Sequence, residues 1–150
     1  KLDPREQHFR IPGTRQGLQL FLRRLEPVER QAHPVLYVHG GTFPSALSIA
    51  HRFDGYSWRD ALCEAGFDVW GLDFHGFGSS DRYPAMDERP EAHASLCRAA
   101  DAAEQVAAGV RFILEYSGRH RLSIIAHSWG TLPAGRIAAL GAQRTSETRH

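Results

Sequence analysis

Hydrophobic positions in the first third of the chain form three short, strand-like runs. Residues 7–11 and 18–22 are predicted to be antiparallel strands, because turn residues such as Pro12 and Gly13 separate them. The run 34–38 is apolar at nearly every position. A strand that is apolar on both sides is buried on both faces. Residues 34–38 are therefore predicted to be a central strand of a sheet that helices cover.

After this strand the pattern changes to a helix followed by another strand. Ser57 is placed as an N-cap, with the carboxylate of Asp60 three residues later, which is typical of a helix start. Gly66 is placed to end that helix. Residues 67–72 then form a second strand-like run. The order strand, helix, strand in this stretch is typical of two parallel strands joined by a helix.

The last 60 residues repeat this alternation. From Pro90 to Gly118 apolar residues recur every three or four positions, which predicts one long amphipathic helix. Residues 121–126 are predicted to be a strand and 131–143 a helix. The order strand, strand, strand, helix, strand, helix, strand, helix predicts an α/β fold. Its sheet should be mostly parallel, with helices on both faces.

Composition limits the function classes. The 150 residues carry 18 Lys and Arg against 17 Asp and Glu, without long runs of one sign, so we expect neither a nucleic acid nor a membrane surface as partner. No apolar run is long enough to span a membrane. Cys63 and Cys97 form no metal or redox motif and are predicted on inward helix faces, which favours a reducing, cytoplasmic compartment. Because the chain starts with Lys1, we expect that its start has been processed or trimmed.

The stretch 123–131 is the strongest candidate for chemistry. It predicts a strand, a sharp turn and a helix start, with Ser128 at the tip. Such a turn requires a positive φ at its tip and small residues two positions before and after, which Ala126 and Gly130 provide. The serine hydroxyl would then lie near the first N–H groups of a helix, where negative charge is stabilised. The alternative is a serine that only caps the helix.

Two glycine-containing turns follow predicted strands. Residues 39–42, His-Gly-Gly-Thr, are either a simple exit from the strand or a turn whose backbone N–H groups face a substrate. Residues 73–80 include Gly76 and Gly78, but position 81, where a dinucleotide-binding motif needs a third glycine, is Asp81. No helix is predicted there either. A dinucleotide site is therefore disfavoured.

In combination, these three motifs resemble those of the α/β-hydrolase fold superfamily. The segment around Ser128 is similar to the nucleophile elbow, with Ala126 where glycine is usual. The resemblance implies that Ser128 is the nucleophile and that the N–H groups of Gly41 and Trp129 form the oxyanion hole. Thr42 is the alternative donor on the substrate side. The loop that begins at residue 73 would shape the rim of the site without taking part in the chemistry.

The catalytic base and acid are not evident. In this family both follow the serine, yet the only carboxylate and histidine after Ser128 are Glu147 and His150. The rise of about 1.5 Å per residue puts the far end of helix 131–143 on the order of 18 Å from the elbow, too far for either residue. Earlier histidines are weak candidates for the base, and they lack the spacing of metal ligands. These are His39, His75 and His127.

The resemblance therefore implies that residues 1–150 are the N-terminal part of an α/β-hydrolase domain. The remaining C-terminal portion of the fold would supply the acid, the histidine and a lid. The expected activity is hydrolysis of an ester, amide or related acyl bond in a small molecule, with no cofactor and no metal. A serine, rather than an aspartate, at position 128 argues against the dehalogenase and epoxide hydrolase branches. An acyltransferase, or a non-catalytic binding module that keeps the serine as a cap, remains as an alternative.

Overall fold

The computed structural model describes residues 2–147, and the side chains of residues 2–141 among them. Strands and helices follow one another in the predicted order. They are β1 (Glu6–Pro12), β2 (Gln19–Leu25), β3 (His33–Val38), α1 (Trp58–Glu64), β4 (Phe67–Asp73), α2 (Ala99–Ser117), β5 (Ser123–Ala126) and α3 (Thr131–Glu147). No helix in this range is both long and apolar enough to cross a lipid bilayer.

The five strands form one sheet in the order β1-β2-β4-β3-β5. The hairpin β1–β2 is antiparallel and attaches to β4 in antiparallel orientation, whereas β3 pairs in parallel with both β4 and β5. Val38 lies opposite Leu72 on one side and Ala126 on the other. Because β3, β4 and β5 run in the same direction, the loops that follow them meet at one edge of the sheet.

Helices cover both faces of the sheet, as predicted. Successive side chains of a strand point to opposite faces, and β3 shows the result. Leu36 and Val38 pack into a cluster with Val106 and Ile113 of α2, while Tyr37 packs on the other face with residues of α1. The continuous run of apolar residues thus correctly predicted that β3 is a central strand of the sheet.

The start of α1 confirms the predicted cap. Ser57 Oγ accepts a hydrogen bond from Asp60 N at 3.0 Å, and Asp60 Oδ2 accepts one from Ser57 N at 2.8 Å. Gly66, with φ +95°, follows the helix end. Cys63 of α1 is half-buried against the apolar cluster on this face, as predicted.

The prediction of a helix from Pro90 was wrong at its start. Residues Pro90–Ala92 form only a single 3₁₀ turn, and α2 begins at Ala99. No residue between 90 and 98 is buried, so this stretch has no apolar face to hold it on the sheet. Cys97 has φ +56°, outside the right-handed helical region. It therefore lies in the loop before α2 and not on a helix face.

Candidate active site

The turn between β5 and α3 has the backbone that the sequence predicts. His127 N donates to Val38 O at 3.0 Å, which extends the pairing of β3 and β5 by one residue. Ser128 follows with φ +53°, a left-handed conformation that is strained for a residue with a Cβ. Gly130 N then donates to His127 O at 3.0 Å and closes the first helical turn. The strand thus reverses into a helix around Ser128.

Position 130 has no room for a side chain, because the backbone at the end of β3 passes very close to it. A Cβ on Gly130 would lie 2.4 Å from the carbonyl oxygen of His39 and 2.9 Å from that of Val38. Both are backbone atoms at the end of β3. Ala126, at the other predicted small position, is half-buried against the apolar core, so its methyl group is accommodated.

The side chain of Ser128 does not cap the helix. The N-cap residue of the turn is His127, and Ser128 is the first residue inside the turn. Thr131 Oγ1 donates to Ser128 O at 2.7 Å, so the serine is held through its backbone carbonyl. Ser128 is exposed, and no hydrogen bond joins its hydroxyl to any side chain among residues 2–141.

The glycine turn after β3 lies directly beside this serine. A Cβ on Gly40 would be 3.1 Å from both Ser128 Cβ and His127 Nδ1, and one on Gly41 would be 3.9 Å from Trp129 Cβ. Gly41 N–H donates no hydrogen bond to another described residue, and Trp129 N–H belongs to a first helical turn, where amides lack intrahelical acceptors. Thr42, next to Gly41, is exposed.

His39 holds this glycine turn against β4. It is fully buried; its Nδ1 donates to Gly40 O at 2.6 Å, and its Nε2 accepts from Phe74 N at 3.1 Å. These partners fix the neutral ring with the proton on Nδ1. Burial lowers the pKa of His39, although the Gly40 carbonyl and the charge of Asp73 act in the opposite direction. Both ring nitrogens of His39 are thus occupied by hydrogen bonds to the backbone.

His75 is also unavailable as a partner of the serine. It is fully buried, its Nδ1 donates to Asp81 O at 2.9 Å, and burial lowers its pKa. Its Nε2 faces Gly13, where an added Cβ would lie 2.5 Å away. His127 is exposed beside Gly40 and makes no hydrogen bond to Ser128. Two further residues considered in the sequence, the side chain of Glu147 and the whole of His150, lie outside the described residues.

Asp73 connects the two loops at this edge of the sheet. Its Oδ1 accepts from Ser45 N at 2.9 Å and from Ser45 Oγ at 2.6 Å, and its Oδ2 accepts from Ser79 N at 3.2 Å. Gly78, with φ +52°, lies so close that a Cβ would be 2.2 Å from Asp73 Oδ2. The aspartate-glycine pattern marked this loop in the sequence, but nothing there indicated Ser45 as its partner.

A buried ion network continues from this point away from the site. Arg23 donates from Nε to Ser45 Oγ at 2.8 Å and from Nη1 to Glu6 Oε1 at 3.2 Å. Glu6 also pairs with Arg59, whose side chain is almost fully buried. Burial raises the pKa of Glu6, but the two arginines outweigh this effect and hold the pKa below its usual value. Within residues 2–141 no group of His, Cys, Asp or Glu is arranged to hold a metal ion.

The chain is similar to known proteins in sequence and in structure. The sequence model of the alpha/beta hydrolase fold family matches residues 33–146. No curated protein sequence matches the chain. Similar solved structures include an esterase from Pyrococcus furiosus, with 19% identity, a TM-score of 0.61 and coverage of 87% of this chain and 45% of that one. An epoxide hydrolase from Vigna radiata has 18% identity, a TM-score of 0.57 and coverage of 89% and 35%.

A haloalkane dehalogenase loop variant from Bradyrhizobium elkanii has 20% identity and a TM-score of 0.60, with coverage of 89% of this chain and 36% of that one. The chain thus spans less than half the length of each of these three proteins. At such low identity the structures show a shared fold, and the family match covers more than half of the chain. The chain belongs to the alpha/beta hydrolase fold family.

Proposed function

We propose that this chain is the N-terminal part of a serine hydrolase that cleaves an ester, amide or related acyl bond. In this proposal an acyl-enzyme forms on Ser128. The observation that carries it is the state of Ser128: an exposed hydroxyl on a left-handed residue that caps no helix. Residues 1–150 would all belong to one domain of a longer protein.

Strain at Ser128 supports a role beyond structure. A non-glycine residue in this backbone region costs about 1–3 kcal/mol, and such strain persists where the surroundings impose it. A capping serine stands at the N-cap and gains a hydrogen bond to a helix N–H, whereas the N-cap of this turn is His127 and Ser128 lies one residue later. A nucleophile gains instead from standing clear of the sheet at a helix start, where the helix dipole stabilises a developing negative charge.

Two backbone amides are proposed to hold the oxyanion. Attack of Ser128 Oγ on the acyl carbon places negative charge on the former carbonyl oxygen. Gly41 and Trp129 lie side by side next to the serine, and both carry N–H groups free of helical bonding, which suits them as donors. Thr42, exposed beside Gly41, is proposed to contact the substrate.

The general base is proposed to come from a later part of the protein. Among the described histidines, His39 and His75 are buried with their Nδ1 atoms bonded to carbonyls, so they do not take the proton of Ser128. Within residues 2–147, β5 pairs on one side only, with β3. The chain covers only 35%, 45% and 36% of the three similar solved proteins. We propose that the rest of the fold pairs along β5 and supplies the histidine and the acid.

The residue at the elbow also bears on the substrate class. A serine that opened an epoxide or displaced a halide would be left as an alkyl ether, which has no carbonyl for water to attack. An acyl-serine has that carbonyl, and water regenerates the hydroxyl. The similarity to an epoxide hydrolase and a dehalogenase is therefore read as one of fold. An acyltransferase would use the same acyl-serine with another acceptor in place of water.

The test is covalent labelling of the full protein with a fluorophosphonate, followed by intact mass. We expect one adduct, lost in Ser128→Ala and kept in Ser95→Ala, a matched variant of an exposed loop serine. Turnover of a p-nitrophenyl ester should disappear with the label, while an epoxide and a haloalkane should not be turned over. An unlabelled but folded full protein would contradict the proposal and favour a binding module.

A second experiment tests the oxyanion donor. Gly41→Pro removes the N–H at this position, whereas Gly41→Ala keeps it and places a Cβ in ordinary contact, 3.9 Å from Trp129 Cβ. Loss of one oxyanion donor lowers kcat by about 10²–10³-fold. We expect that loss for the proline variant with KM little changed, and a small effect for the alanine variant. Equal activity of the two variants would exclude Gly41 N–H as a donor.

A further inference from the structure

A basic cleft lies at the edge of the sheet opposite to Ser128. Its volume is about 550 Å³, and it is formed where α2 ends and where β3 and β5 begin. Five basic side chains dominate its wall. They are Arg30, His33, Arg119, His120 and Arg121.

Among residues 2–141, no carboxylate lines this cleft. Its three arginines form no ion pair with any carboxylate of the described residues, whereas several arginines elsewhere do. Arg24, for example, lies 2.8 Å from Asp68, and Arg52 lies 2.7 Å from Asp60. Positive charge in a concave surface focuses the electrostatic field and raises the local concentration of anions. The cleft is therefore a place of uncompensated positive charge in a chain whose net charge is only +1.

The helix dipole accounts for part of this cluster. Cations are favourable near a helix C-terminus, and Arg119 and His120 follow the end of α2 directly. However, the last turn is already capped, because Gly118 N donates to Glu115 O and Arg119 N donates to Leu114 O. Arg30 and His33 come from a different part of the chain, the loop before β3 and β3 itself. The dipole at the end of α2 does not explain why basic residues from a second segment lie in the same cleft.

We propose that this cleft binds a phosphoryl group that carries two or more negative charges. Guanidinium groups match the geometry of phosphate oxygens and can donate two parallel hydrogen bonds. Seven residue steps of nearly extended chain lead from Arg121 to Ser128, on the order of 20 Å. The cleft is thus distinct from the proposed catalytic serine, and the proposal does not depend on that serine being catalytic.

The test is calorimetric titration of the full protein with inorganic pyrophosphate. We expect saturable, one-site binding that Arg30→Gln/Arg121→Gln weakens by about tenfold or more, since two charge-assisted contacts are lost. Arg89→Gln/Arg136→Gln removes the same charge from exposed positions outside the cleft and should change the dissociation constant by less than about twofold. Arg30→Lys/Arg121→Lys keeps the charge without the planar groups and should fall between them.

Sedimentation with vesicles distinguishes a free phosphate from a lipid headgroup. Binding to phosphatidylcholine vesicles only when they contain phosphatidic acid, a phosphomonoester lipid, and loss of this binding in the same Arg30/Arg121 variant would make a headgroup the source of the phosphoryl group. Equal weakening by the control variant would show non-specific charge attraction and overturn the proposal. Absence of saturable binding in both assays, with circular dichroism of all variants unchanged, would overturn it as well.

Discussion

Gly130→Ala tests how tightly the elbow is packed. The added Cβ would lie 2.4 Å from the carbonyl oxygen of His39, and an ordinary carbon–oxygen contact is about 3.3 Å, so one of the two must move by roughly 0.9 Å. The end of β3 resists this movement. Val38 O accepts a hydrogen bond from His127 N, and His39 is buried with both ring nitrogens bonded.

The size of the effect follows from these contacts. Overpacking of a closely packed site destabilises a protein by about 1–3 kcal/mol, and backbone neighbours that cannot rotate away place this case at the upper end. Gly135→Ala in α3, the helix that follows Gly130, is the control, because a Cβ there meets no atom within 4 Å. Replacement of an exposed helical glycine by alanine stabilises by about 0.5–1 kcal/mol. The two substitutions should thus have opposite signs.

Urea unfolding followed by circular dichroism measures both effects. Gly130→Ala should lower the midpoint and Gly135→Ala should raise it, with the slope m unchanged in each. Fluorophosphonate labelling of Ser128 should slow in Gly130→Ala because the elbow is displaced. If the two variants had equal midpoints, the close approach of the elbow to the end of β3 would be wrong.

Three further predictions concern stability. Ser128→Gly should be more stable than Ser128→Ala by about 1 kcal/mol in urea unfolding, because only glycine adopts φ +53° without strain. Burial lowers the pKa of His39 in the folded state, so on acidification the unfolded state takes up this proton at a higher pH than the folded state does. The free energy of unfolding should therefore fall as the pH drops below about 6.5, the ordinary pKa of histidine. The fall should be less steep in His39→Gln. Glu6→Gln leaves two buried arginines unneutralised and should cost about 3–5 kcal/mol, whereas Glu29→Gln, at an exposed position, should change the unfolding free energy by less than about 0.5 kcal/mol.

The sequence predicted the structure correctly where the residue type depends on interactions with residues nearby in the chain. Continuous apolarity located β3 at the centre of the sheet, and Ser57 with Asp60 located the start of α1. The small residues around Ser128 predicted its positive φ, because that turn has a local steric requirement. The prediction that α2 begins at Pro90 was wrong, because the spacing of apolar residues does not show whether they will pack against another part of the protein.

The polar network under the site could not be predicted in the same way. Ser45 and Asp73 are 28 residues apart, and Arg23 reaches Ser45 from another strand. Such pairs depend on the strand order β2-β4-β3, which brings these residues together only after the sheet has formed. The sequence indicated that His39 is a weak candidate for the base, but it did not predict the hydrogen bond that the ring accepts from Phe74 N.

The proposed division of the site between this chain and the rest of the fold has a physical basis. The serine turn and the glycine turn are held by backbone contacts inside the chain, through the parallel pairing of β3 with β5 and the approach of Gly130 to His39. A strained nucleophile needs such support, because a loosely held turn would relax to an unstrained φ. A proton acceptor has no comparable need, since a histidine functions from any element that brings its ring within hydrogen-bonding distance. The parts of the proposed site that require rigidity therefore lie within residues 38–131, and only the proton-transfer groups are left to the open side of β5.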